Sequence, residues 1–466
     1  MSKKISVFTL AMINVAAVSS VRNWPTIAEY GLSSVFFFAI AAILFFIPVS
    51  MVAAELATGW PKTGGIFVWV KEAFGHRTGF LAVWLLWAEN LVYYPALISF
   101  IAGTIAYIIN PALSNNTLYI LGFVVVLFWI TTLANLLGMR ASGWISSFGV
   151  ILGTIIPGSL IIFLGIAWVF MGNPLQISFT LDSLIPNMSS PKELVLFSGI
   201  LVSLCGLEMS GVHANVVENP QKNYPKATLL SAILILGLYI LGVLAIAVVI
   251  PQQQINLVAG SLQAFSFFVT AYGLHWLTPV IAILLAFGAL GTLSTWIAGP
   301  SKGLLAAAQS GDLPPLFRKL NQHGMPAPLL IGQAIVVTLF SSVFLFMPTV
   351  GSAYWILNAT LAQIYLIMYV LMFAAAIKLR YKHPEVRRAY KIPGGFVGIW
   401  TVAGLGLLGS ASTFLIGFFP PAQIAVGNTF LYVSFLILSI VVVCIAPSVI
   451  LLFKKPQWEK NLPHER

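Results

Sequence analysis

Charge is what this chain lacks most. Asp, Glu, Lys and Arg make up 8% of its 466 residues, against about 25% in a soluble domain. Hydrophobic residues make up 59% and the mean hydropathy is +0.98. A water-soluble globule of this length is thereby excluded, and the apolar surface belongs in lipid. Cysteine is nearly absent too: Cys205 and Cys444, both in apolar runs, give neither a disulfide framework nor a zinc spacing. No Gly-x-x-x-x-Gly-Lys-Ser/Thr loop occurs, which argues against ATP-driven pumping. No clustered His/Cys site or HExxH motif suggests a metal. No nucleophile–base pair marks an enzyme. We expect a non-enzyme without a cofactor.

What is present is a series of apolar runs of about 20 residues, the length that crosses a bilayer as a helix. Twelve candidates fall near 5–30, 33–57, 77–109, 118–137, 142–172, 192–217, 225–250, 272–308, 329–347, 351–379, 396–419 and 429–453. Lys3 and Lys4 precede the first run like the head of a secretory signal, but the apolar pattern continues into further spans, so the run reads as an uncleaved first helix. The stretch 64–74 is too short and too charged to span, and is expected to lie at the interface with its Phe and Trp at headgroup level.

The net charge of +11 is a topology signal. Lys3, Lys4, Lys62, Lys71, Arg77, Arg140, Lys222, Lys226, Lys302, Arg318, Lys319, the 378–391 cluster and the tail fall on alternate loops. The loops 110–117, 251–271, 348–350 and 420–428 carry no Lys or Arg; only Lys192 breaks the pattern, and Arg22 lies inside a span. The positive-inside rule then puts both termini in the cytoplasm. It also removes the case for a nucleic-acid partner.

Two spans carry interruptions. In the sixth, Cys205-Gly206-Leu207-Glu208 puts glycine and a carboxylate where an ordinary span carries Leu or Val. In the first, Ser19–Asn23 and Pro25 do the same. Backbone freed by such a break cannot face lipid and must line a cavity, and broken helices at mid-depth are where many secondary transporters bind substrate. Five spans separate the starts of the two broken ones, and an odd offset makes the halves antiparallel, as in inverted repeats. We therefore expect one all-α transmembrane domain over 1–466, with repeat one near 5–172, repeat two near 192–379, and two further helices near 396–453.

Intramembrane charges default to function. Arg22 reads as an anchor for a substrate carboxylate, or as a snorkelling structural arginine. Glu89, followed by Asn90 in the third span, reads as its countercharge or as a packed carboxyl. Glu208, inside the break, reads as a proton carrier, an amine contact or a gate. His213 is a candidate pH sensor, with a satisfied structural histidine as the alternative. Tyr365 and Tyr369, four apart, share one helical face, and their mid-span position argues for the pathway over an interfacial belt.

These features resemble the amino acid–polyamine–organocation superfamily over about residues 5–453, and within it the bacterial glutamate/GABA antiporters. The resemblance rests on FFIPVSMVAAELATGWPKTGGIFVWV (46–70), GLEMSGVHANVVENPQKNYP (206–225), WIAGPSKG (296–303) and KHPEVRRAYKIPGG (382–395), together with PQQQINLVAG (251–260). It implies a twelve-helix protein with a five-plus-five inverted repeat and broken helices one and six, in the bacterial inner membrane. It implies exchange of an amino acid for a related amino acid or amine, with the two substrates and the lipid bilayer as partners. Carried onto this chain, the substrate site falls on Ser19, Ser20, Arg22, Cys205, Gly206, Glu208, Tyr365 and Tyr369, with Glu89 from span three and Thr292 where a carboxylate is expected in span eight. Glu208 and His213 are the candidates for gating or proton coupling. The superfamily's Gly-Ser-Gly in span one is Val18-Ser19-Ser20 here. The competing functions are a proton- or sodium-coupled amino-acid symporter, the latter through Ser294 and Thr295, and a membrane sensor or partner that does not transport.

Overall fold

The computed structural model describes residues 6–61, 64–137, 149, 151–186, 191–210, 218–422 and 424–458. Regular structure among them is helical throughout. Span one is split into α1 (Val7–Val18) and α2 (Trp24–Ala28). There follow α3 (Gly31–Gly59), α4 (Ile66–Phe74), α5 (His76–Ile109), α6 (Thr117–Leu136) and α7 (Ile151–Phe170). Span six is split into α8 (Phe197–Ser203) and α9 (Leu207–Ser210). The remainder are α10 (Gln221–Ala247), α11 (Gly260–Ala271), α12 (Leu277–Gln309), α13 (Ala327–Phe346), α14 (Val350–Lys382), α15 (Gly395–Ile416) and α16 (Thr429–Leu452). Among the described residues, ten helices are long and apolar enough to cross a membrane.

Helix starts follow local chemistry. The Asn116 side chain accepts from the Tyr119 amide at α6, and Thr349 with Ser352 forms a reciprocal box at α14, satisfying amides that the first turn leaves free. Burial sorts the helices by depth. In α14, 78% of the most apolar stretch is buried against protein, in α16 only 22%, so α14 is an axis and α16 a lipid-facing wall. Where α7 meets α12 the backbones nearly touch: a Cβ on Gly153 would sit 2.2 Å from the Cα of Gly288. Small residues allow such approach in lipid, where packing rather than water expulsion drives association.

The connections gather in two groups. His76 at the start of α5, Asp312 beyond α12 and Lys454 beyond α16 meet on the face of the termini. On the opposite face Gln252 donates to the Glu29 carbonyl at 2.8 Å, and Asn256 donates to Ser114 at 3.1 Å.

Two expectations need correction. The stretch 64–74 does not lay its aromatics on a surface: Phe67 and Trp69 of α4 are buried, against α5 and α14. Its apolar face found protein partners that its length could not announce. The bare loop 251–271 contains α11, whose Leu262, Phe265 and Phe268 are buried; at 12 residues it is too short to span. In span five, 138–148 and 150 lie outside the described residues.

On the face of the termini, Glu55 of α3 is enclosed by cations. Arg380 holds both its oxygens, through Nε at 2.7 Å and through Nη2. Arg388 Nε lies 3.3 Å from Oε1 and the Ile392 amide donates to Oε2 at 2.8 Å. Arg388 also donates to the Leu379 carbonyl at 3.0 Å at the end of α14 and lies over the Trp60 ring. Burial lowers its pKa, and the Glu55 carboxylate opposes that shift.

Candidate functional site

The two broken helices meet through residues that the breaks leave unpaired. α1 stops at Val18; Ser19 and Ser20 are extended. A single turn at Val21–Asn23 then leads into α2, with Pro25 at its second position. Proline is tolerated there because no amide is needed. The Ser20 hydroxyl accepts from the Arg22 amide at 3.3 Å. α8 stops at Ser203, and Gly206 takes φ +113° before α9 begins, a region open in practice only to glycine. Trp24 seats the restarted helix on α10: a Cβ on Gly242 would lie 2.5 Å from its ring.

Tyr239, on α10, joins the breaks. Its hydroxyl accepts from the Ser20 amide at 3.2 Å and lies 3.1 Å from the Val18 carbonyl and 3.0 Å from the Ser203 carbonyl. One phenol, whose single proton can go to either, thus stands between the last carbonyls of both interrupted helices. From α11, Ser261 donates to the Val21 carbonyl at 2.8 Å.

Glu208 is 4% exposed and ringed by neutral donors. Tyr365 donates to Oε1 at 2.6 Å, Tyr369 donates to Oε2, and the Gly206 amide donates to Oε2 at 3.2 Å. The two tyrosine rings stack at 4.9 Å, and Phe45 meets Tyr369 edge-on at 4.8 Å. The shared face expected of the tyrosines is real, and its target is Glu208. Cys205 is buried and bonds the Leu201 carbonyl.

Arg22 is 2% exposed, so it does not snorkel. Its Nη1 donates to the Asn358 side chain at 3.1 Å, and its guanidinium lies 5.0 Å from the Tyr93 ring and 5.8 Å from the Tyr354 ring. Rings offer a cation a favourable face without neutralising it. The expected Arg22–Glu89 pair is not formed: the ion pairs among the described residues join other partners, and Glu89 bonds its neighbour Asn90. A cavity of about 10 Å³ beside Asn23, Thr26, Trp355 and Asn358 has room for about one water.

Some expected residues stand apart. The Ser19 hydroxyl is buried without a hydrogen-bond partner among the described residues. Thr292 bonds the Gly288 carbonyl of its own helix at 3.2 Å, the usual habit of hydroxyls in membrane helices. Ser294 lies 3.4 Å from the Asn135 amide nitrogen. His213 lies outside the described residues. Sequence reasoning missed Tyr239, Asn358, Tyr93 and Tyr354. A lone Tyr in the apolar run LLSAILILGLYILGVLAIA was the available signal for the first. A mid-span Asn was the signal for the second.

Interrupted helices crossing among apolar spans, with buried opposite charges held by neutral groups, define a polytopic membrane protein of the solute-transporter class. The chain belongs to the amino acid permease family, whose sequence model matches residues 5–443. It is 46% identical over 437 residues to an uncharacterized transporter of Legionella pneumophila, covering 94% of each chain. It is 37% identical over 454 residues to a glutamate/gamma-aminobutyrate antiporter of Lactococcus lactis, covering 96% of this chain and 90% of that one.

Proposed function

We propose that the chain is an amino-acid antiporter working by alternating access, and that Arg22, Glu89, Glu208, Tyr365 and Tyr369 form its substrate site. The observation that carries this reading is the bonding of Glu208. Its oxygens are satisfied by tyrosine hydroxyls and a glycine amide at a helix break, not by a fixed cation. Neutral donors can be exchanged for a substrate ammonium with little rearrangement, because the charge of the ammonium then compensates the carboxylate. Arg22, whose guanidinium meets an amide and two rings, keeps its charge available for a substrate carboxylate. An α- or ω-amino acid presents both groups. Tyr239 would hold the two breaks in register as the substrate arrives.

In this reading the chain crosses the membrane twelve times with both termini cytoplasmic, in two antiparallel repeats near 5–172 and 192–379. Tyr365 and Tyr369 at Glu208, and Asn358 and Tyr354 at Arg22, all come from α14, the buried axis, which suits a helix that stays while α1 and α9 rearrange. The relative of known name, a glutamate/gamma-aminobutyrate antiporter, supports acidic and ω-amino acids as the first substrates to try.

The experiment is counterflow into proteoliposomes preloaded with glutamate, GABA, a neutral amino acid or a diamine, with and without imposed pH and sodium gradients. Uptake that needs internal amino acid and no gradient supports exchange. Uptake into empty vesicles driven by a proton or sodium gradient contradicts it and favours symport. No uptake of any amino acid under either condition contradicts transport of this class.

A further inference from the structure

On the face opposite the termini, away from the Ser19–Asn23 break, a second cavity opens beside Glu29. It has a volume of about 260 Å³ and lies among the end of α2, the segment around Gln176 and the segment after α10. At about 30 Å³ per water this is several times the room that a bare ion requires. We propose that this cavity is a binding site for small aliphatic ammonium compounds, separate from the central cluster around Glu208.

The argument begins with charge. Glu29 is 8% exposed, and among the described residues it is the only charged one lining the cavity. No Lys, Arg or His lines it, and Glu29 joins none of the ion pairs among the described residues. What faces it is an amide: Gln252 donates to the Glu29 backbone carbonyl at 2.8 Å. In its ionised form a buried carboxyl with only an amide beside it favours a cation that can enter.

Shape and polarity narrow the class. One part of the wall is polar, from Gln176, Ser178 and Gln252, and can hold the remaining protons of an ammonium group. Another part is aliphatic, from Leu32, Ile250 and Ile255, and suits a methylene chain. The wall is braced from outside: Gln176 donates its amide to the Val248 carbonyl at 3.0 Å, Trp168 donates to the Pro174 carbonyl at 3.0 Å, and Gly31 turns at φ +56° beneath Ile177. A charged head beside Glu29 with a short hydrocarbon stem along the isoleucines satisfies both walls at once. A metal ion would leave the apolar wall unused, and an anion would meet Glu29.

The test places a thiol on the rim. Ser178 is exposed and lines the cavity, so Ser178→Cys in nanodiscs is labelled with a charged maleimide, with the unsubstituted protein giving the background from Cys205 and Cys444. The probe is n-pentylammonium, compared with pentan-1-ol and pentanoate. We expect the ammonium to slow labelling about threefold at about twice its Kd, the alcohol and acid to leave it unchanged, and Glu29→Gln to abolish the protection while Glu29→Asp retains it. Protection should persist in Glu208→Gln, because the central cluster is not its source. Equal protection by pentan-1-ol would show only an apolar crevice, and absence of protection at any accessible concentration would remove the site. Protection that survives Glu29→Gln, or that disappears in Glu208→Gln, would also overturn the proposal. The ammonium–alcohol comparison needs no change at Glu29, so it decides the matter even if Glu29→Gln does not fold.

Discussion

Glu55 and Glu208 are both buried carboxylates on helices of one membrane protein, 2% and 4% exposed, and they are held in opposite ways. Glu55 meets two guanidiniums and a backbone amide. Glu208 meets two phenols and a backbone amide. The first arrangement neutralises charge internally and ties α3, α14 and the 383–394 segment into one knot. Nothing from solution can replace an arginine there without leaving a buried charge. The second satisfies the oxygens without a fixed cation, as the proposed substrate site requires. Burial alone therefore says little about role; the identity of the partners separates a fastener from a site.

The sharpest break in this comparison is Glu55→Ala. It strands Arg380 and Arg388 in a buried knot and should cost about 3–5 kcal/mol, read as a large fall in the midpoint of thermal unfolding in detergent. Glu55→Met with Arg380→Met should recover part of the loss, because an apolar pair fills the space without unpaired charge. A midpoint within a degree or so of the parent for Glu55→Ala would show that the knot is wet and the contrast unreal.

Arg22→Ala comes next. We expect exchange of carboxylate-bearing substrates to weaken by up to about 2–5 kcal/mol, with a diamine affected less. Arg22→Ala with Glu89→Ala should not restore stability as a broken ion pair would, because the two side chains bond Asn358 and Asn90 instead. Equal loss for a diacid, a neutral amino acid and a diamine, together with a fall in unfolding midpoint, would make Arg22 structural.

Gly206→Ala forces a side chain onto φ +113°. The strain should amount to about 1–3 kcal/mol, with exchange lost along with the amide bond to Glu208. Retained exchange and an unchanged midpoint would show that the break adapts freely. The smallest effect is expected from Tyr239→Phe. It removes the hydroxyl that serves Ser20, Val18 and Ser203, and should cost about 0.5–1.5 kcal/mol in stability. Its exchange rate should fall more than the stability does, because both breaks lose their common partner.

Much of this was readable before any coordinates. The positions of the ten long apolar helices follow from apolar length, because that is a property of contiguous sequence. Both breaks were marked by Ser19–Asn23, Pro25 and Gly206, residues whose backbone preferences act locally. The Tyr365–Tyr369 face followed from helical spacing. What escaped was pairing across the chain. Glu55 and Arg380 lie 325 positions apart, and Arg22 and Asn358 lie 336 apart; no local pattern encodes such a meeting. The sequence leaves Glu89 open between a countercharge to Arg22 and a packed carboxyl, and its bond to Asn90 favours the second. α4 and α11 were misjudged because their length excluded spanning but did not reveal that protein, not lipid or water, covers their apolar faces.

The contrast between the two carboxylates is tested most directly by measuring exchange per folded molecule and the unfolding midpoint for Glu208→Gln and Glu55→Gln, side by side. The account predicts a crossed result. Glu208→Gln keeps its midpoint within a few degrees and loses exchange at least about tenfold, equivalent to roughly 1.4 kcal/mol in the barrier. Glu55→Gln loses many degrees, while the protein that remains folded exchanges at the parent rate. Exchange at the parent rate in Glu208→Gln, with a midpoint that falls as far as that of Glu55→Gln, would contradict it.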